Sequence, residues 1–255
     1  SGISVIVNGI HVSDVRSDLD GGVATIRNGG FVKMSRVDVR RVHAGRSGGL
    51  ASIESGSVLH VNGGTMSDVD SMHKGGVLSI VGESLVSVDS IVGKNYESIQ
   101  SNGGFASVSG KSMLSIMRSN IQSCTAAVSG GMLHVSEESL VRMVSLVTTN
   151  TKAGAVGGGI VLKEGSTLLG DGASTINKPL ALDQGGGIWV DSTNITVRGV
   201  AIVGGEARLG GGMYFDKTNA IMSNVRLESC VGSNGGGGVF ATGARIMVDA
   251  SIVKE

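Results

Sequence analysis

The chain has 255 residues, with 43 Gly, a single Pro, 40% hydrophobic residues and only 3% aromatic residues. Its 21 basic and 21 acidic side chains balance and form no basic stripe, which argues against a nucleic-acid partner. Low charge with this apolar content argues against disorder, because such a chain can bury a core. No apolar run approaches the length of a membrane span.

A Gly-Gly pair recurs along the chain at a nearly fixed interval. Five pairs in steps of 27 or 28 residues begin at Gly21, Gly48, Gly75, Gly103 and Gly130. Later pairs begin at Gly158, Gly186, Gly211 and Gly237, the last two after steps of 25 and 26 residues. A fixed period in this range indicates a solenoid, in which each repeat stacks on the next.

The residues that follow each Gly pair alternate between apolar and polar. In the first repeat, residues 24–26 read Ala-Thr-Ile and residues 32–34 read Val-Lys-Met. A third apolar group follows, with Val37 and Val39. Alternation with β-branched residues predicts short strands that each bury one face. A column of small residues (Gly30, Ser57, Ser84, Ser112 and Ser139) marks a second turn in each repeat.

This pattern predicts an all-β, right-handed parallel β-helix of about nine to ten coils, with about 25–28 residues and three short strands per coil. Stacking the coils about 4.8 Å apart pairs their backbones and buries a continuous core. The handedness follows from the preference of parallel crossovers. We expect residues 1–255 to form one domain that is a segment of a longer solenoid, because neither end shows a polar or helical cap.

Residues 148–157 interrupt the pattern with a composition typical of a loop. Counted from the Gly pair, the apolar positions shift by one after this segment, as at Ile160 and Leu162. The sequence therefore predicts a register change near residues 148–157.

The shifted alternation places Trp189, Tyr214 and Phe240 in one outward column. Exposed aromatic side chains could stack on sugar rings or contact another protein chain. Alternatively, a neighbouring segment covers the rings, or a one-residue slip in the assigned register means that they face inward. The pattern leaves these readings open.

Asp191 and Asp216 occupy another shared column, with an expected separation of about 5 Å. Paired carboxylates at this distance can serve glycoside hydrolysis or bind a hard cation. The alternative is a solvated turn in which Asp satisfies local backbone groups. The five His residues share no column, so we expect no metal site, no catalytic residues and no cofactor.

Cys124 and Cys230 fall in coils four apart, hence about 19 Å from each other, which exceeds the reach of a disulfide. We expect both to be small core residues. Asn194 begins the sequon Asn-Ile-Thr at an expected turn, which makes it a candidate glycosylation site.

Two segments, 166–172 (Ser-Thr-Leu-Leu-Gly-Asp-Gly) and 194–202 (Asn-Ile-Thr-Val-Arg-Gly-Val-Ala-Ile), resemble coils of the pectin-lyase-like right-handed β-helix superfamily. The Gly-Gly repeats, such as 21–24 (Gly-Gly-Val-Ala), are also similar to those of autotransporter and polymorphic-membrane-protein-type passengers and of repetitive protist surface proteins. The resemblance implies the fold and an extracellular or cell-surface setting. It carries over no catalytic residues, because the Asp and Arg or His sets of the polysaccharide-processing members are not found.

The first functional interpretation is an extracellular structural or adhesive solenoid without catalysis: a stalk, a passenger or a filament subunit. Its partners would be other protein chains, or copies of itself arranged end to end or laterally, with glycans as a further possibility. The alternative is a carbohydrate-binding or carbohydrate-processing β-helix that uses the aromatic column. A weaker third interpretation, an ice- or mineral-surface binder, would require a regular Thr ladder, and the sequence has none.

Overall fold

The computed structural model describes residues 3–254, apart from the side chains of residues 192–194. It contains no helix in this part of the chain, and all of its strand pairings there are parallel. The strands are β1 (Ser4–Asn8), β2 (His11–Ser17), β3 (Ala24–Ile26), β4 (Phe31–Ala44), β5 (Ala51–Glu54), β6 (Val58–Ser71), β7 (Leu78–Val81), β8 (Leu85–Ser98), β9 (Ala106–Val108), β10 (Met113–Met117), β11 (Asn120–Ala126), β12 (Leu133–Val135), β13 (Leu140–Val144), β14 (Val147–Thr149), β15 (Lys152–Ala153), β16 (Ile160–Lys163), β17 (Thr167–Asn177), β18 (Leu180–Ala181), β19 (Ile188–Val203), β20 (Glu206–Leu209), β21 (Met213–Ser223), β22 (Arg226–Glu228), β23 (Val231–Gly235), β24 (Val239–Thr242), β25 (Arg245–Asp249) and β26 (Ile252–Lys254).

These strands wind into a parallel β-solenoid of about nine turns, so the predicted architecture is confirmed. Each coil has three faces. Face A follows the glycine turn and contains β3, β5, β7, β9, β12, β16, β24 and the starts of β19 and β21. Face B contains β1, β10, β13, β25 and the matching parts of β4, β6, β8, β17, β19 and β21. Face C closes the coil and contains β2, β11, β14, β22, β26 and the later parts of β4, β6, β8, β17 and β19. In β4, β6 and β8 the strands of faces B and C run together around a corner.

The predicted columns stack in register. Ile26 pairs with Ile53, and Ile53 pairs with Ile80, each in the next coil. All three side chains are at most 4% exposed and belong to one core that runs through the molecule. The inward residues of stacked strands therefore form continuous apolar columns. Burial of these columns between neighbouring coils stabilises coils that are too thin to fold alone.

Buried serines line the second turn, as the small-residue column predicts. The backbone N–H of Ser57 donates to Ser84 Oγ (3.3 Å), that of Ser84 to Ser112 Oγ (3.2 Å), and that of Ser112 to Ser139 Oγ (3.1 Å). The Ser84 hydroxyl in turn donates to the carbonyl oxygen of Val81 (2.8 Å). The Ser84 hydroxyl thus satisfies buried backbone groups of its own coil and of a neighbouring coil, at a corner where the strand ladder is broken.

The predicted register change near residues 148–157 is wrong. Pairing continues without offset through this segment, because Leu133 pairs with Ile160 and Ile160 pairs with Ile188. Gly157, not Gly158, is the counterpart of Gly130: their φ angles are +62° and +65°. A Cβ at either position would press on the carbonyl oxygen three residues later. Residues 157–159 are three consecutive glycines, and the sequence pattern alone does not show which two of them correspond to Gly130 and Gly131.

The third glycine of each later run replaces a large side chain of the earlier coils. Gly159 follows Met132 in the core column of face A. An added Cβ there would lie 3.0 Å from Ile176 Cγ2, and one at Gly187 would lie 2.6 Å from Ile202 Cγ2. Isoleucines from face C thus fill the space that Met132 fills in its own coil. Different side chains therefore fill the core in the earlier and the later coils, while the register of strand pairing stays constant.

A glycine also makes room for a large side chain at Tyr96, one of the few aromatic residues in the core. Tyr96 is 1% exposed, packs edge-on against Phe105 at 5.5 Å between ring centroids, and donates its hydroxyl to the carbonyl oxygen of Met66 (3.0 Å). Gly93 leaves the space for this hydroxyl group, because an added Cβ would overlap it.

Both terminal coils leave core positions open. Val5 is 42% exposed at one end, and Val248 and Val253 are 61% and 62% exposed at the other. These residues occupy inward columns, whose members in the interior coils are buried.

Candidate functional site

The aromatic column lies on the outer side of face A, as the alternation predicts. Trp189 in β19 pairs with Tyr214 in β21, which pairs with Phe240 in β24. Their neighbours Ile188 and Val190 are fully buried in the main core, whereas the rings belong to a separate small cluster with Val161. The rings therefore point away from the main core.

The rings are nevertheless not open to solvent: Trp189 is 8% exposed and Tyr214 is 6% exposed. The chain just before each glycine turn folds back over face A, and Val156 and Leu209 pack against the cluster. Isolated parallel bridges join Val156 to Gln184 and Gln184 to Leu209, so this covering segment forms a ladder of its own. The prediction that these residues form a partner-binding face required both rings to be exposed, and their burial contradicts that requirement. The apolar–polar alternation predicts on which side of a strand a side chain lies. It does not show whether another segment of the same chain covers that side.

Polar contacts fix the rings beneath the cover. Trp189 Nε1 donates to Gln184 Oε1 at 2.9 Å, and Lys163 Nζ lies 5.0 Å from the Trp189 ring centroid. Tyr214 and Phe240 stack at 5.6 Å with an interplanar angle of 8°. Buried indole N–H groups normally find such a partner, and an ammonium over a ring face adds a cation–π attraction.

The covering residue stands five positions before the residue that it covers. This spacing joins Val156 to Val161, Gln184 to Trp189, and Leu209 to Tyr214. For Phe240 the corresponding residue is Gly235, which has no side chain to offer, and Phe240 is only half-buried. This five-residue spacing is the signal in the sequence that could have revealed the cover.

His134 lies in the same outward column, paired with Val161. Burial lowers the pKa of His134 to about 4, and the nearby Lys163 and Lys74 add to the effect. The ring is therefore neutral at pH 7.

Asp191 and Asp216 pair across adjacent coils, which confirms that they are neighbours in one column. Both are partly exposed, and Lys163 precedes Asp191 in the same column. This arrangement places two carboxylates and one ammonium along the outer edge of face A. Such a row can accept and donate hydrogen bonds to a polar partner. Whether it binds one stays a prediction.

Asn194 lies in strand β19, where its backbone pairs with Asn219, between the part of this strand on face A and the part on face B. The side chain of Asn194 lies outside the described residues, and its glycosylation stays a prediction.

The two cysteines are free, as predicted. Cys124 is fully buried, and burial raises the pKa of its thiol, whereas Cys230 is only partly buried.

Two carboxylates that each take part in several hydrogen bonds, Asp38 and Asp171, were not predicted from the sequence. Asp38 contacts Arg40 and His11 at 3.0 Å each, and Thr65 Oγ1 donates to it at 3.0 Å. Asp171 accepts from Ser145 N (2.8 Å) and from Ser174 N (3.0 Å).

Both carboxylates have a lowered pKa. For Asp38 the main cause is the hydrogen bond from Arg40. For Asp171, burial opposes the shift, but the hydrogen bonds from Ser145, Ser174 and Ala173 together outweigh it. Their partners, a coil away or within the turn, indicate structural roles.

A groove follows the turns between faces A and B and has a volume of about 770 Å³. It is lined by charged residues of successive coils, namely Glu83, Lys111, Glu137, Glu138 and Glu164. Lys111 Nζ lies 3.7 Å from Glu138 Oε2. We call this row the acidic turn edge.

Across residues 3–254, no group of three or more His, Cys, Asp or Glu side chains is placed to hold a metal ion. Nor does any helix in the described part of the chain have the length and hydropathy to cross a membrane. The fold defines the class of protein, a parallel β-solenoid. Comparison with protein-family models, with curated proteins and with solved structures finds no match.

Proposed function

We propose that this chain is an extracellular structural or adhesive solenoid without catalysis, acting as a stalk, a passenger or a filament subunit. The observation that supports this proposal is the uninterrupted stacking of about nine coils over one core. At about 4.8 Å per coil, the coils form a body about 45 Å long. A body built this way presents fixed outward columns at a constant repeat, which suits repetitive contacts with other chains.

The extracellular setting is part of the same proposal. It is supported by the resemblance of the Gly-Gly repeats to autotransporter-type passengers and repetitive surface proteins, and of two segments to pectin-lyase-like β-helices. Partners would be other protein chains or further copies of this one.

The carbohydrate-binding alternative needs rings that a sugar can reach. Trp189 and Tyr214 are covered by Gln184 and Leu209, and only Phe240 is partly open. The accessible aromatic strip on which this alternative rested is therefore missing, and we do not propose it as a second function.

Limited proteolysis of intact source cells, followed by mass spectrometry, tests the setting. We expect peptides of this chain before lysis, and their release only after lysis would contradict it. The purified chain would then be incubated with a panel of polysaccharides, with reducing ends and Trp189 fluorescence as readouts. We expect no new reducing ends and no fluorescence change, and turnover of any polysaccharide would contradict the structural function.

A further inference from the structure

Face B carries a mostly apolar column of side chains on its outer side, which the main core does not use. The column runs through five consecutive coils as Phe31, Val58, Leu85, Met113 and Leu140. After Thr167 and Thr196 it resumes at Ile221 and Met247. Leu85 is 46% exposed and Met113 is 41% exposed, whereas their inward neighbours Val86 and Leu114 are at most 3% exposed.

A soluble strand normally alternates between apolar inward and polar outward positions. The outward column at the start of face C is mixed, as in Asp38, Thr65, Val92 and Asn120. On face B the apolar character is kept from coil to coil instead. An apolar row of this length on one side of a solenoid marks a contact surface.

The two sides of this apolar column differ in charge. Towards the start of the strands lies the acidic turn edge, with four glutamates and one lysine. Towards their end lies a mixed outward column with three basic side chains at Lys33, Arg142 and Arg198; its members in coil order are Ile6, Lys33, His60, Ser87, Ser115, Arg142, Leu169, Arg198, Ser223 and Asp249. At about 3.3 Å per residue, these two rows stand about 7–8 Å to either side of the apolar column.

We propose that face B binds a second copy of this chain, side by side and in parallel, about a two-fold axis that runs along the apolar column. This rotation exchanges the two sides of the face at constant height, so in the coil of Leu140 the residues Glu137 and Glu138 of each copy meet Arg142 of the other. A two-fold axis perpendicular to the solenoid would instead oppose acid to acid. Equal coil spacing keeps the two copies in step over their whole length. The inference rests on the proposed structural function and names its lateral partner.

The available area suits such a pair. A strip about 20 Å wide over nine coils of about 4.8 Å covers roughly 850 Å² on each copy, close to the roughly 800 Å² per partner of a standard interface. An isologous contact of this kind closes at two copies.

Sedimentation velocity of the full chain at about 100 µM, well above the dissociation constant expected for an interface of this size, measures the pairing. In the Val248→Asp/Val253→Asp background, which removes exposed apolar positions of a terminal coil and so blocks end-to-end association, we expect a dimer, and a dissociation constant raised at least tenfold when Leu85→Glu/Met113→Glu is added. The matched control is Val92→Glu/Val147→Glu, which places two such charges on face C, one in the coil of Leu85 and one in the coil that follows that of Met113; there Val92 is 58% and Val147 is 39% exposed. The control, in the same background, should dimerise like the background chain.

A charge exchange tests the orientation. In the two-fold pair, Arg142 of one copy faces Glu137 and Glu138 of the other. Glu137→Arg and Arg142→Glu should each weaken the dimer several-fold, and the double variant should recover most of the loss. Recovery in a dimer-specific readout distinguishes a contact between copies from a change within one coil.

Three results would overturn this inference. They are a Val248→Asp/Val253→Asp chain that stays monomeric, association that Leu85→Glu/Met113→Glu leaves unchanged, and an Arg142→Glu loss that Glu137→Arg makes worse. End-to-end polymers that persist in Leu85→Glu/Met113→Glu, with no dimer in the Val248→Asp/Val253→Asp background, would overturn the lateral pairing while leaving the proposed structural function standing.

Discussion

At the residue scale, the stability of the chain depends on single side chains placed where neighbouring coils make room for them. His134 and the pair of Gly93 and Tyr96 are two such positions. His134 is held neutral by desolvation and by the nearby Lys163 and Lys74, and Gly93 is small because the Tyr96 hydroxyl occupies the space of its missing side chain.

The neutral state of His134 makes folding stability depend on pH. The unfolded chain takes up this proton near pH 6.5, whereas the folded chain takes it up only near pH 4. Stability is therefore full above about pH 6.5 and falls as the pH drops through the window to 4, by about 3 kcal/mol in all. In urea unfolding from pH 7 to pH 4, His134→Ser should flatten this part of the profile. His60→Ser on the outer side of face B is the control, and an equal flattening by both variants would contradict the assignment.

Substitution of Gly93 should be costly although it adds only one methyl group. Gly93→Ala drives a Cβ into the Tyr96 hydroxyl and displaces its hydrogen bond to Met66, for a loss of about 2–3 kcal/mol in the free energy of unfolding. Tyr96→Phe removes the clashing oxygen, so Gly93→Ala/Tyr96→Phe should be more stable than the sum of the two single losses predicts. Strict additivity in a double-mutant cycle would show that the two residues do not compete for this space.

At the element scale, the strands and their stacking could be predicted from the sequence, because a 27-residue period with alternating β-branched residues leaves little choice of register for buried columns. The register predicted after Gly157 was wrong by one residue, because the sequence pattern does not show which of three consecutive glycines has positive φ. The fold-back over Trp189 and Tyr214 also escaped prediction. It depends on contacts with Gln184 and Leu209 on a segment that carries no strong strand pattern.

The covered rings should behave as core. Trp189→Ala and Tyr214→Ala should each reduce the free energy of unfolding by about 3 kcal/mol, as expected for large buried aromatic residues. Val231→Ala, at a residue that is 57% exposed, is the control and should change it little. Urea midpoints with unchanged slopes measure both. Ring variants as stable as the wild type would show that the cover is open in solution.

At the scale of the whole molecule, the two terminal coils carry open strand edges and exposed core positions. Unpaired edges act as templates for further strands. For this chain in isolation we expect end-to-end association, with Val248 and Val253 of one copy against Val5 and Val12 of the next.

Val248→Asp/Val253→Asp should abolish this association while the β circular-dichroism signal is kept, because both residues are more than half exposed. Light scattering against concentration measures the growth of polymers. An unchanged scattering curve in the variant would exclude the terminal coil as the contact.

The parallel ladder also determines how the molecule responds to force. Its inter-strand hydrogen bonds run along the solenoid axis, so a pull on the two ends peels off terminal coils one after another, with no need to shear a whole sheet at once. Each coil of about 27 residues releases about 90 Å of extended chain but shortens the folded body by only about 5 Å. A tether built from such coils lengthens in equal steps under load and takes up mechanical work at each one.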